Sequence, residues 1–159
     1  MLTLFRYNWQ VREEWFDLCG QLPEDELLRE RMGGVGSMLR TLFHIVDVEY
    51  SWIRTLQGKP DFDGKFEDYQ TLTQVRNLSV TFHGEVDSFL KVWSDEMENN
   101  ILTVPMRDGQ LHKFTHGEVL RHVVAHEIHH IGQLSVWARE LGLQPVSANV
   151  IGRGLFRSE

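Results

Sequence analysis

The sequence predicts an all-α fold, a four-helix bundle with one long crossover loop and a small hairpin ahead of the last helix. Three observations point to it. Apolar residues recur every three or four positions over four long stretches, no convincing central strand interrupts them, and Gly or Pro stands at or just beyond the end of most stretches. The chain has 159 residues, 42% of them hydrophobic, enough for one packed core. No linker or low-complexity segment divides residues 1–159, which read as a single domain.

Helix one spans about Thr3 to Leu22, with Leu4, Phe5, Trp9, Phe16 and Cys19 at mixed three- and four-residue spacing and Pro23 just past its end. Helix two follows the flexible run Gly33-Gly34-Val35-Gly36. It carries Met38, Leu42, Ile45, Trp52, Ile53 and Leu56 and stops at Gly58. Residues 58–70 are rich in turn formers and make the crossover loop; helix three then runs from about Leu72 to Asn99 on Val75, Leu78, Phe82, Val86, Phe89 and Trp93. From Ile101 to Phe114 the period changes. Asp108-Gly109 predicts a hairpin with a type I′ turn, and Pro105 restricts its strand to a sheet edge. Thr115 and Glu118 form a capping-box pattern that opens helix four, and Gly142 closes it.

Lys and Arg total 16 against 23 Asp and Glu, a net charge of -7 that argues against nucleic acid or an anionic lipid surface as partner. The N-terminal stretch lacks the layout of a secretory signal and no apolar run could span a bilayer, so no membrane partner and a cytoplasmic location are expected. Cys19 is the sole cysteine, which excludes an intrachain disulfide and a cysteine-based zinc site. Any metal here would be held by nitrogen and oxygen.

Five of the eight histidines lie between His116 and His130. Among them His126, Glu127 and His130 spell His-Glu-x-x-His, the zinc-hydrolase signature in which two imidazoles one turn apart bind the ion and the Glu acts as base. On a helical wheel His126 and His130 sit about 40° apart, inside the buried arc set by Val119, Val123, Leu134, Trp137 and Leu141. His122 and His129 project to one flank and read as rim residues. Two imidazoles buried together without a proton or metal partner would be costly, which favours metal binding. The protease reading lacks its third ligand: Gly132 comes one position early for the longer signature, no His follows His130, and Glu140 lies about three turns further along, out of reach. Another helix must supply it, and His44, the only His of helix two, is the natural candidate although it lies off the centre of its apolar stripe. Glu127, at the edge of the arc, is open to two readings: a proton shuttle in a metal-dependent hydrolase, or a core-edge carboxylate paired with Arg40 or Arg121.

Three stretches in order, "YNW" at Tyr7–Trp9, "GSMLRTLFHIVDVEYSW" at Gly36–Trp52 and "LRHVVAHEIHHIGQLSVWARELG" at Leu120–Gly142, resemble the DinB-like (YfiT-like) metal-binding four-helix bundles. The resemblance covers nearly the whole chain. It implies a divalent metal held by His44, His126 and His130, and it makes Glu127 a coincidental completion of the protease pattern; three imidazoles suit zinc, nickel, iron or copper, zinc or nickel foremost. Ile131 departs from the family, which often has a basic residue there. The activity implied is S-transfer with a low-molecular-weight bacterial thiol of the bacillithiol type and a small electrophilic substrate, and homodimers are common in the family. The alternatives are a metal-dependent hydrolase and a non-catalytic, metal-stabilised interaction module. Phe62, Phe66 and Tyr69 of the crossover loop suit either a lid over the site or packing at the end of the bundle. The acidic residues Asp61, Asp63, Glu67 and Asp68 fit a solvated loop better than a calcium site.

Overall fold

The computed structural model describes residues 2–105 and 108–156. It is mostly helical, with one two-stranded sheet: α1 (Leu2–Cys19), α2 (Glu24–Leu28), α3 (Met38–Leu56), α4 (Leu72–Lys91), β1 (Ile101–Pro105), β2 (Leu111–Thr115) and α5 (His116–Glu140). Three of the long helices, α3, α4 and α5, start where side chains satisfy their first free backbone NH groups. Ser37 accepts from Arg40 N, while Thr71 with Gln74 and Thr115 with Glu118 form reciprocal capping boxes. Each such cap is worth about 1 kcal/mol. α3 packs on α4 and α5, and α1 on α5 and α4.

Three boundaries differ from the periodicity. Helix one ends at Cys19, and the separate short helix α2 follows Pro23. Five residues carry too little periodicity to announce themselves. Helix three stops at Lys91, not Asn99, because the chain extends at Ser94 and makes a 3-10 turn at Asp95–Met97; Trp93 and Met97 still pack on the core from that turn. The hairpin forms, but its turn is not the two-residue type I′ expected. The register pairs Pro105 with Leu111, so five residues, 106–110, make the connection. A type I′ turn needs positive φ at both central residues, and among the described residues only glycines have it, so Gly109 qualifies and Asp108 does not. Met106 and Arg107 lie outside the described residues. Pro105 fits its strand because both strands of this sheet are edges.

The core consists of two apolar clusters. One gathers Val11, Trp15, Leu42, Val46, Phe82, Ile131 and Leu134; the other gathers Phe5, Ile53, Val86, Phe89, Leu120 and Val123. Between them along α3 and α5 lie Glu49 and Glu127, facing Arg12 of α1. The C-terminal segment after α5 returns over α1, where Tyr7 Oη donates to Ala148 O at 2.7 Å and Arg153 pairs with Glu14 at 2.7 Å. In the crossover loop Phe62 packs on Phe82, and Phe66 and Tyr69 pack on Phe43, with ring centroids 5.0 to 5.6 Å apart. These aromatics close the first core cluster, while Asp61, Asp63, Glu67 and Asp68 are exposed.

Candidate metal centre

α3 and α5 bring His44, His126 and His130 together. His126 Nε2 lies 3.0 Å from His44 Nε2 and 3.1 Å from His130 Nε2. One donor nitrogen from each of the three residues falls within 4.8 Å of the others. The spacing of four residues along α5 puts His126 and His130 on one flank of the helix, and His44 meets them from α3. The buried face of α5 runs through Leu120, Val124, Glu127, Ile131, Leu134 and Ala138, so it is Glu127 that lies at its centre, while His126 is half-buried at its edge. The wheel placed these two the other way round because it weights apolarity and cannot foresee a buried carboxylate. Ile131 is part of the apolar core.

The tautomer of His130 follows from its neighbour. His130 Nδ1 is 2.7 Å from Gln133 Oε1, and Gln133 Nε2 is 3.0 Å from His129 Nε2. With the amide so oriented, its oxygen accepts from His130 Nδ1–H, and His130 Nε2 turns a bare lone pair toward the other two rings. His126 Nε2 can align one proton with only one of its two neighbours, so neutral rings satisfy one of the two contacts and not both. Adding a proton is resisted. Burial pushes the His126 imidazole down to about 3, helped by the neighbouring imidazoles of His130, His44 and His122, and burial also lowers His130. A single cation would accept from all three, and nitrogens bound at about 2.0–2.1 Å to a tetrahedral ion lie about 3.3 Å apart, close to the 3.0 and 3.1 Å that separate His126 from His44 and His130. The donor set fits a divalent metal.

Glu127 faces away from the cluster. Its two oxygens accept from Arg12 Nε at 2.8 Å and Nη2 at 2.6 Å, and Arg12 Nη1 donates to Glu49 at 2.9 Å. Neither pairing expected for Glu127 forms: Arg40 lies over the Phe66 ring and Arg121 pairs with Glu98. Burial alone would lower the Arg12 guanidinium, but the two carboxylates outweigh it and hold the group above its ordinary value. Burial raises Glu127 despite the opposing pull of Arg12. Sequence reading missed Arg12 because a charged residue on an apolar face breaks the pattern that periodicity scores.

His122 and His129 stand at the rim, both exposed. A cavity of about 850 Å³ reaches the cluster at His44 and is bordered by Gly33–Gly36, Arg40, Asp47 and Lys65. Gly34 is held at φ +55, and a Cβ there would sit 2.6 Å from Gln133 Oε1. The glycine run thus lets the loop before α3 pass directly over the amide that orients His130. Gln133 and Gly34 are the neighbours of the cluster that the sequence reading did not find. A spacing of three from His130 was the available signal for Gln133.

Among the described residues no helix is long and apolar enough to cross a membrane. A DinB-like protein from Bacillus cereus ATCC 10987 shares the fold, with a TM-score of 0.67 at 21% identity over 92% of this chain and 93% of that one. A DinB-like protein of Bacillus subtilis, YjoA, superposes with a TM-score of 0.61 at 17% identity over 91% of this chain and 95% of that one. In sequence, the uncharacterized protein YizA of Bacillus subtilis (strain 168) is 56% identical over 155 residues, 98% of this chain and 96% of the relative. Protein DinB of the same organism is 22% identical over 147 residues, 87% of this chain and 84% of the relative. The sequence description of the DinB family matches residues 1–153. A match of that extent, on a fold and a histidine cluster that agree with it, places the chain in the DinB family.

Proposed function

We propose that His44, His126 and His130 hold one divalent cation, zinc or nickel by donor chemistry, and that the protein is an S-transferase joining a low-molecular-weight thiol to a small electrophile. In this reading residues 1–159 are one domain and the four long helices are a four-helix bundle with the centre between two of them. The observation that carries the proposal is the convergence of three imidazole nitrogens, with Gln133 holding His130 in the tautomer that points a lone pair inward. A divalent cation on three neutral imidazoles keeps its full charge and, when bound, supplies the Lewis acidity that lowers the pKa of a thiol at its open position.

Three further features favour a substrate thiol. Cys19 is fully buried and burial pushes its thiol up to about 12, so the chain's sole cysteine is no nucleophile. Glu127, the only base the His-Glu-x-x-His pattern offers, has both oxygens committed to Arg12, which disfavours activation of water by that residue. The large cavity beside His44 gives a polar thiol room, with Arg40 and Lys65 on its walls. The test is turnover of a panel of small thiols with 1-chloro-2,4-dinitrobenzene by metal-free and zinc- or nickel-reloaded protein. The expected result is turnover that depends on the added metal and survives Cys19→Ala. Turnover lost in Cys19→Ala at unchanged metal content would overturn the reading.

A further inference from the structure

A second, unlike cavity lies about one turn of α5 before the histidine cluster, at His122. It measures about 260 Å³ and is lined by Trp52 of α3, Phe114 of β2, and Val119 and His122 of α5, with Glu118 at its edge. Its walls are rings at right angles. Trp52 stands 6.2 Å and 88° from Phe114 and 5.9 Å and 80° from His122, edge-to-face contacts of the kind a further aromatic ring can join. Val119 is buried, and the Glu118 carboxylate is engaged by Thr115 N at 2.7 Å and Thr115 Oγ1 at 3.1 Å as part of the helix cap.

The position of this cup matters as much as its walls. His122 lies four residues before His126, on the same flank of α5, and Trp52 of α3, about two turns after His44, meets its ring. The His122 and His126 ring centroids are 5.6 Å apart. A group seated against Trp52 and His122 is therefore separated from His126 by the His122 ring, while the polar cavity borders the cluster directly at His44. The cup is smaller than a typical pocket for a whole ligand, about 300–1,000 Å³, and suits one ring system of a larger molecule.

We propose that this cup is the acceptor subsite and takes a flat, uncharged aryl group of the electrophile, while the thiol occupies the larger polar cavity. The proposal rests on the thiol-transfer reading. For a benzylic halide the thiol sulfur forms a bond to the benzylic carbon as the carbon–halogen bond breaks; the halide leaves with the bonding pair and the thiol proton passes to solvent. An uncharged occupant is favoured because the one acid at the edge already serves the helix cap.

The experiment reads binding apart from turnover. 4-Fluorobenzyl alcohol, an unreactive probe, is titrated by 19F NMR into the zinc-loaded full chain, into Trp52→Ala and into Phe114→Ala, with folding checked by circular dichroism and zinc measured in each. Phe114 sits on the hairpin, so its variant remains informative if Trp52→Ala fails to fold. The expected result is saturable binding to wild type that weakens about tenfold in each folded variant at unchanged zinc content. A matching rise in KM for 4-fluorobenzyl chloride with N-acetylcysteine is expected where turnover is measured. Equal probe affinity in wild type and Phe114→Ala, or displacement of the probe by tetramethylammonium, would overturn the subsite. Probe binding that both variants weaken, with no thiol transfer by wild type, would overturn the transfer reading and leave the aryl site standing.

Discussion

One turn of α5 buries polar groups in two opposite ways. Glu127 ends in a closed network in which the Arg12 guanidinium reaches Glu127, Glu49 and Ser79, tying all four long helices together at the seam between the two core clusters. His126, the preceding residue, meets His44 and His130 in a cluster whose hydrogen bonds cannot all be made. A closed network contributes to holding helices in register, and losing one member leaves charges stranded. An open cluster contributes little to the fold on its own and is completed by something added. The contrast separates a structural centre from a candidate metal centre in a motif where the letters alone suggest a single catalytic unit.

The largest effect belongs to the closed network. Arg12→Met should cost about 3–5 kcal/mol in urea denaturation, because Glu49 and Glu127 would lie buried without their partner. A cost below about 1 kcal/mol, with no rearrangement of the glutamates, would show that the network is not what locks the helices.

The next effect falls on the open cluster. Gln133→Ala releases His130 Nδ1 and should weaken zinc binding by about 10–100-fold in a competition titration while the melting temperature of the metal-free protein barely moves. Gly34→Ala forces a side chain into the left-handed region and against Gln133 Oε1; it should destabilise by about 1–2 kcal/mol and weaken zinc binding in parallel. Unchanged zinc affinity in both variants would break the link between the glycine run and the tautomer of His130.

The smallest effect is on acid stability. His126 is held near 3 in the folded metal-free protein against about 6.5 unfolded, so between these values the unfolded chain binds the extra proton. The stability this gives is complete above about pH 6.5 and declines as the pH falls toward about 3. His126→Ala should flatten the decline between pH 7 and pH 5 in denaturation of the metal-free protein, and an identical slope in both proteins would rule His126 out as its source.

Much of this arrangement was legible from residue order. The Thr115 and Glu118 cap starts α5 where the pattern places it, and the four-residue step from His126 to His130 sets two rings on one flank of any helix. The third ring needed more: His44 stood out as the only His of its helix, but it lies off the centre of its apolar stripe and the resemblance was needed to support it; the structure puts it 3.0 Å from His126. The partner of Glu127 was not legible, since Arg12 is 115 residues away and a wheel treats a charged residue on an apolar face as noise. The same limit hid Gln133, whose role depends on the direction of its amide, and the hairpin connection, where pairing of Pro105 with Leu111 overrode the local Asp108-Gly109 signal.

The central claim is that the three histidines form one metal centre and that Glu127 is no part of it. Calorimetric titration of metal-free protein with zinc and with nickel tests this most directly on wild type, His44→Ala and Glu127→Gln. The account predicts one ion per chain in wild type and in Glu127→Gln, and loss of that site in His44→Ala with the helical fold retained. Tight binding that survives in His44→Ala, or that disappears in Glu127→Gln while the protein stays folded, would contradict it.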